Sequence, residues 1–120
     1  MLHEQITAGI LEACFEVINE LGAGFVESVY ERALLRALRD KGLKAESQVP
    51  VEVFFRGEAV GNFHADILVE QKVIVELKAV AALAPQHQAQ VINYLKAAGI
   101  EVGLLVNLGQ PKLEYKRLHR

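Results

Sequence analysis

The chain has 120 residues, 52% of them hydrophobic, with 13 basic and 15 acidic residues and a net charge of −2. That length suits one domain over residues 1–120, able to bury a core without staples. The slight acidity argues against a general polyanion binder. The lone Cys14 excludes an internal disulfide and a cysteine-based zinc site.

Ile6, Ile10, Ala13, Cys14, Val17, Ile18 and Leu21 recur at helical spacing, which predicts a first helix with one buried face. Its amphipathic, acid-bearing start does not read as an export signal. No apolar run reaches the ~20 residues of a bilayer span. A cytoplasmic location without membrane contact is therefore expected. Gly22-Ala23-Gly24 stops the helix. A second helix is expected from about Val26 to Lys41, with Val29, Ala33, Leu34, Ala37 and Leu38 as its apolar stripe. A strand follows, with Val49, Val51, Val53 and Phe55 on one face, and then a turn at Arg56-Gly57-Glu58. A second strand should run from about Ala59 to Val69 and a third from about Lys72 to Val80. Pro85 suits the first turn of a helix that continues to about Ala98 and closes at Gly99. Val102 to Leu108 reads as a central strand buried on both faces. Gly109-Gln110-Pro111 turns the chain into a last strand, Leu113 to Leu118. The order α-α-β-β-β-α-β-β implies an α/β fold, a mixed sheet flanked by helices, with the third helix crossing to a parallel strand.

Strands two and three carry the informative residues. Side chains alternate on a strand, so Glu76 and Lys78 share a face opposite Val73, Val75, Leu77 and Ala79. On strand two, Phe63, Ala65, Ile67 and Val69 form the apolar face, leaving Asn62, His64 and Asp66 on the other. Aligning the apolar faces pairs Val69 with Val73 across the loop Glu70-Gln71-Lys72. Ile67 then meets Val75, Ala65 meets Leu77 and Phe63 meets Ala79. The same register sets Asp66 opposite Glu76 and His64 opposite Lys78. Two facing carboxylates are unfavourable and call for compensation. The compensation is either Lys78, on a merely solvated face, or a hard divalent cation such as Mg²⁺ or Mn²⁺.

Asp66, followed ten residues later by Glu76-Leu77-Lys78 on the next strand, resembles the PD-(D/E)XK nuclease signature. The segment Gly24-Phe25-Val26-Glu27-Ser28-Val29-Tyr30 is similar to the pattern that names the GxxExxY proteins, small domains assigned to that superfamily. Gln90-Val91-Ile92-Asn93-Tyr94 resembles the QxxxY element of its exonuclease-like branches. Taken alone, the Asp and Glu-x-Lys motif is frequent by chance; three motifs in order, each on its expected element, are far more specific. The likeness runs from about Ile6 to Leu118 and departs in having Ala65, not Pro, before Asp66.

The resemblance implies a restriction-endonuclease-like core and metal-dependent hydrolysis of nucleic acid, with DNA as the expected partner. It implies that Asp66, Glu76 and the backbone carbonyl of Leu77 hold Mg²⁺ or Mn²⁺, with Glu27 as a further catalytic acid that meets the metal directly or through water. It implies that Lys78 positions the attacking water and offsets phosphate charge. Gln90, Tyr94, Tyr30 and His64 would support the site or touch substrate. Three of these residues have plainer readings as well. Glu27 is an acid favoured at a helix N-terminus, Tyr30 a core aromatic, and His64 a structural strand histidine. Basic residues fall in two groups, Arg32, Arg36 and Arg39 on one helical stripe and Lys112, Lys116, Arg117 and Arg120 near the end, either a phosphate rim or a solvated face. With no Trp, 5 Phe and 3 Tyr, composition shows no aromatic platform for single strands. The alternative function is a nuclease-fold binding or assembly module in a larger nucleic-acid complex. The apolar content predicts self-association, as a dimer.

Overall fold

The computed structural model describes Met1 to Arg120. Eight elements follow in the expected order: α1 (Glu4–Leu21), α2 (Glu27–Asp40), β1 (Ala45–Phe55), β2 (Glu58–Val69), β3 (Val73–Lys78), α3 (Pro85–Ala98), β4 (Val102–Asn107) and β5 (Glu114–His119). The strands form one mixed sheet in the order β1-β2-β3-β4-β5. Only β3 and β4 run parallel, with α3 connecting them. No helix is long and apolar enough to cross a membrane.

The helices sort to the two faces by their stripes. Ile10, Cys14 and Val17 of α1, with Tyr30, Leu34 and Leu38 of α2, pack on Ile67, Val69, Val75, Leu77, Leu104 and Val106. Burial pushes the Cys14 thiol up to about 12, so it acts as a core group. On the other face, Val91 and Leu95 of α3 cover Ala65, Leu68, Ile74 and Leu105. A Cβ on Gly103 would come 3.0 Å from Val91 Cγ1 and 3.2 Å from Leu95 Cδ2, so its bare Cα is what lets α3 settle on β4. Every residue of β4 is buried, but the strand lies one place from the β5 edge; the middle of the sheet belongs to β3.

The β2–β3 turn has the expected register, Val69 paired with Val73 and Ile67 with Val75. Glu70 and Gln71 sit at φ 54° and 58°, and Lys72 N–H donates to Val69 O at 3.0 Å, the primed-turn geometry that matches strand twist.

Several boundaries and faces differ from expectation. β1 begins at Ala45 because Ala45, Glu46 and Ser47 pair with Val69, Leu68 and Ile67. β3 stops at Lys78 because the fully buried Asn107 side chain captures both backbone groups of Val80, at 3.0 and 2.9 Å. On β2, Phe63 and Ala65 join the α3 side whereas Ile67 and Val69 face α1 and α2, so the four do not share one face. The break lies at Asp66 and Gln48, which drop out of the β1–β2 pairing, with Gln48 left-handed at φ 51°. A register slip between Val53 and Phe54 interrupts the alternation that would have set Phe55 beside Val49, Val51 and Val53.

Candidate active site

β2 and β3 pair only from Ile67–Val75 to Val69–Val73; past that point the two strands part. Backbone groups orphaned at a fork need partners, and two carboxylates supply them. Asp66 Oδ2 accepts the Leu77 N–H at 2.9 Å, and Glu76 Oε1 accepts the Asp66 N–H at 3.1 Å. Asp66 and Glu76 therefore meet, but by side-chain bonds across a fork and not as opposed residues of a continuing ladder. The ladder's end also removes the expected pairings of Ala65 with Leu77, Phe63 with Ala79 and His64 with Lys78.

The fork sets the electrostatics. Glu76 is only 6% exposed. Burial first, and then the charge of Asp66, push its carboxyl up to about 8, with Lys78 pulling the other way. Lys78, half-buried at the end of β3, makes no ion pair within 4.0 Å. Glu76 Oε2 accepts no hydrogen bond, and Asp66 Oδ1 has only Gln48 Nε2 at 3.5 Å. Two close carboxylates with free oxygens and no paired cation form a hard-oxygen donor set that suits Mg²⁺ or Mn²⁺. The Leu77 carbonyl lies between Glu76 and Lys78 in sequence, adjacent to this pair.

Two residues missed by the sequence reading join the acids. Gln48, turned by its left-handed backbone, donates Nε2 to Glu31 Oε1 at 2.7 Å and reaches Asp66 from the same amide. Burial, and then the charges of Asp66 and Glu27, raise the Glu31 carboxyl against the lowering effect of its Gln48 bond. The available signal was helical spacing, since Glu31 lies one turn beyond Glu27 on the same face. Glu27 itself is exposed at the first position of α2, and no three acidic, histidine or cysteine side chains converge into a cage. Glu27 sits at the mouth of α2, and Glu31 is the acid linked to Asp66 through Gln48.

Tyr94 is brought to the acids. Its phenol is pushed up by burial and then by the charges of Glu76 and Asp66, and its ring stacks on Phe63 with centroids 3.7 Å apart and planes 12° off parallel. Gln90 lies one turn earlier on α3, exposed and without a hydrogen bond. Tyr30 has a different job. Its buried hydroxyl donates to Gly22 O at 2.6 Å and accepts the Phe25 N–H at 3.2 Å, tying down the loop between α1 and α2. His64 is exposed on β2 opposite Pro50, away from Lys78's ladder. Of the basic groups, Arg36 pairs with Asp40, Arg39 reaches Ala45 O, Arg117 reaches Leu2 O and Arg120 pairs with Glu101, whereas Arg32, Lys112 and Lys116 are exposed and make no ion pair.

A family model described as the PD-(D/E)XK nuclease superfamily matches residues 4–118. Among solved structures, one titled "Crystal structure of SSO0001" is similar, with a TM-score of 0.63 and 20% sequence identity over 78% of this chain and 50% of that one. The chain thus spans half the length of that structure, and at this identity the likeness is one of fold. A comparison with curated proteins gives no match.

Proposed function

This chain belongs to the PD-(D/E)XK nuclease superfamily, and on that premise we propose that it is a Mg²⁺- or Mn²⁺-dependent phosphodiesterase that cuts DNA, acts in the cytoplasm and, on its Gly24–Tyr30 segment, is a GxxExxY protein. The observation that carries the reading is the carboxylate pair at the β2–β3 fork, where Glu76 accepts the Asp66 N–H and Asp66 accepts the Leu77 N–H beside an unpaired Lys78.

In this reading Asp66 and Glu76 hold the ion with the Leu77 carbonyl, and Glu27 and Glu31 deepen the negative field at the mouth. When bound, the ion polarises the scissile phosphate and lowers the pKa of water. Lys78 directs its ammonium at the reacting phosphate. There it orients the attacking water and offsets charge that grows on the phosphorus oxygens. The fork ends β2–β3 backbone pairing beside the acids. Gln90 and Tyr94 line the approach from α3.

The test is cleavage of labelled DNA with and without Mg²⁺ or Mn²⁺, by wild type, Asp66→Ala and Lys78→Ala. Cleavage is expected only for wild type with metal. Equal cutting by both variants would refute the site. The proposal includes a dimer, supported by exposed Phe25, Val26 and Val29 where α2 begins. Light scattering that shows a monomer at every concentration removes that part.

A further inference from the structure

Composition offered no aromatic platform, yet folding builds one. A cleft of about 600 Å³ lies between the β1–β2 arm and α3. Phe54, Phe63 and Tyr94 line it, with Val53, Asn93 and Lys96. Phe63 and Tyr94 are already stacked. Phe54 is 63% exposed and pairs with no other ring, so an aromatic face stands open to solvent. Phe63 precedes Asp66 on β2 and stacks on Tyr94, so the inner end of the cleft lies along the strand that carries Asp66, and Phe54, paired with Ala59, marks its outer end.

We propose that this cleft takes unpaired nucleobases of the strand whose phosphate lies at the acids, a few nucleotides from the scissile bond, which makes single-stranded or frayed DNA the preferred substrate. The inference rests on the nuclease reading for its substrate class. A base in a duplex offers its edges and hides its faces in the stack. An unpaired base offers a face, which aromatic side chains bind with little regard to sequence. A base that is already unpaired also avoids the cost of extrusion from a helix. The polar groups fit the same ligand. Lys96 is exposed and makes no ion pair, so it is free for a flanking phosphate. The Asn93 amide supplies a donor and an acceptor for a base edge. An apolar protein segment would have no use for this lysine–amide rim beside two carboxylates.

The test is fluorescence anisotropy with labelled oligothymidylate and a blunt duplex of equal length, in calcium buffer, for wild type, Phe54→Ala and Phe54→Trp. A strand carrying 2-aminopurine is read in parallel. Wild type is expected to prefer the single strand and to quench 2-aminopurine by stacking. Phe54→Ala should weaken single-strand binding roughly five- to a hundredfold, the range of one base–aromatic stack, and leave duplex binding unchanged. Phe54→Trp should restore both signals. Phe54 is solvent-exposed, so neither variant threatens the core. The proposal is overturned if wild type shows no single-strand preference or if Phe54→Ala binds as wild type does. It is equally overturned if Phe54→Ala dissolves a dimer without changing DNA binding, which would make the cleft a contact between copies. The two readings fail separately. Binding as expected with no cleavage refutes the nuclease and keeps the cleft; cleavage with no single-strand preference, unaltered by Phe54→Ala, does the reverse.

Discussion

Glu76→Gln separates what the acid pair costs the fold from what it does for function. Folding carries this carboxyl from an ordinary 4.5 to about 8. Between those values the folded chain keeps a proton that the unfolded chain has lost. Stability must therefore fall as pH rises through the interval and level off above it. At about 1.4 kcal/mol per pH unit, the interval corresponds to a ceiling of about 5 kcal/mol. Water at the open fork relaxes part of this, so a loss of about 2–4 kcal/mol from about pH 5 to about pH 9 is expected in EDTA. Domains of this size have only ~5–15 kcal/mol in total, so the slope is measurable. Glutamine keeps an oxygen to accept the Asp66 N–H and removes the charge. Glu76→Gln should flatten the pH dependence and, near pH 9, be more stable than wild type in EDTA. Mg²⁺ should restore wild type and leave the variant unchanged. The assay is urea unfolding followed by far-UV circular dichroism. If wild type and variant show the same slope, or Mg²⁺ stabilises both equally, the reasoning fails.

Three further outcomes follow from the same structure. Because an ion at the pair must displace the proton on Glu76, Mg²⁺ affinity should rise about tenfold per pH unit up to about 8 and then plateau; calorimetry in buffers of different ionisation enthalpy reads the released proton, and a flat profile counts against the site. Tyr30→Phe removes both bonds that pin the α1–α2 loop and leaves the Phe25 N–H unpaired, so it should cost about 1–2 kcal/mol in urea melts; no loss would mean the hydroxyl is not structural. Gly109→Ala would place a Cβ 2.3 Å from Val80 O, a backbone atom that cannot swing aside, and should cost about 2 kcal/mol or more, read as a lower thermal midpoint.

Local periodicity carried much of the fold because it reports faces directly. The apolar spacing of α1 and α2, the Pro85 start and Gly99 stop of α3, and the apolar run of β4 all matched their elements. The β2–β3 turn was legible because matching apolar faces allows few registers, and Val69–Val73 is the pairing formed. The same reasoning overran the ladder's end. Alternation assumes a regular strand, and nothing local in the sequence announces that Gln48 turns left-handed or that β2 leaves β3 at Asp66.

Of the candidate site, sequence order and spacing singled out Asp66, Glu76, Lys78 and Tyr94, which the fold brings near one another. Glu31 and Gln48 were not singled out, because their approach to Asp66 comes from a different helix and strand. Tyr30 fitted a motif, yet its hydroxyl serves the loop, which only its partners reveal. The aromatic cleft makes the same point, because composition counts Phe and Tyr but cannot say that Phe54, Phe63 and Tyr94 gather in one cleft. What the sequence determined by itself was which residues share an element and a face, since those relations lie within a few positions of chain. Tertiary structure alone decided where the strands separate and what fills the gap, because unpaired backbone groups and buried charges take partners by distance in space.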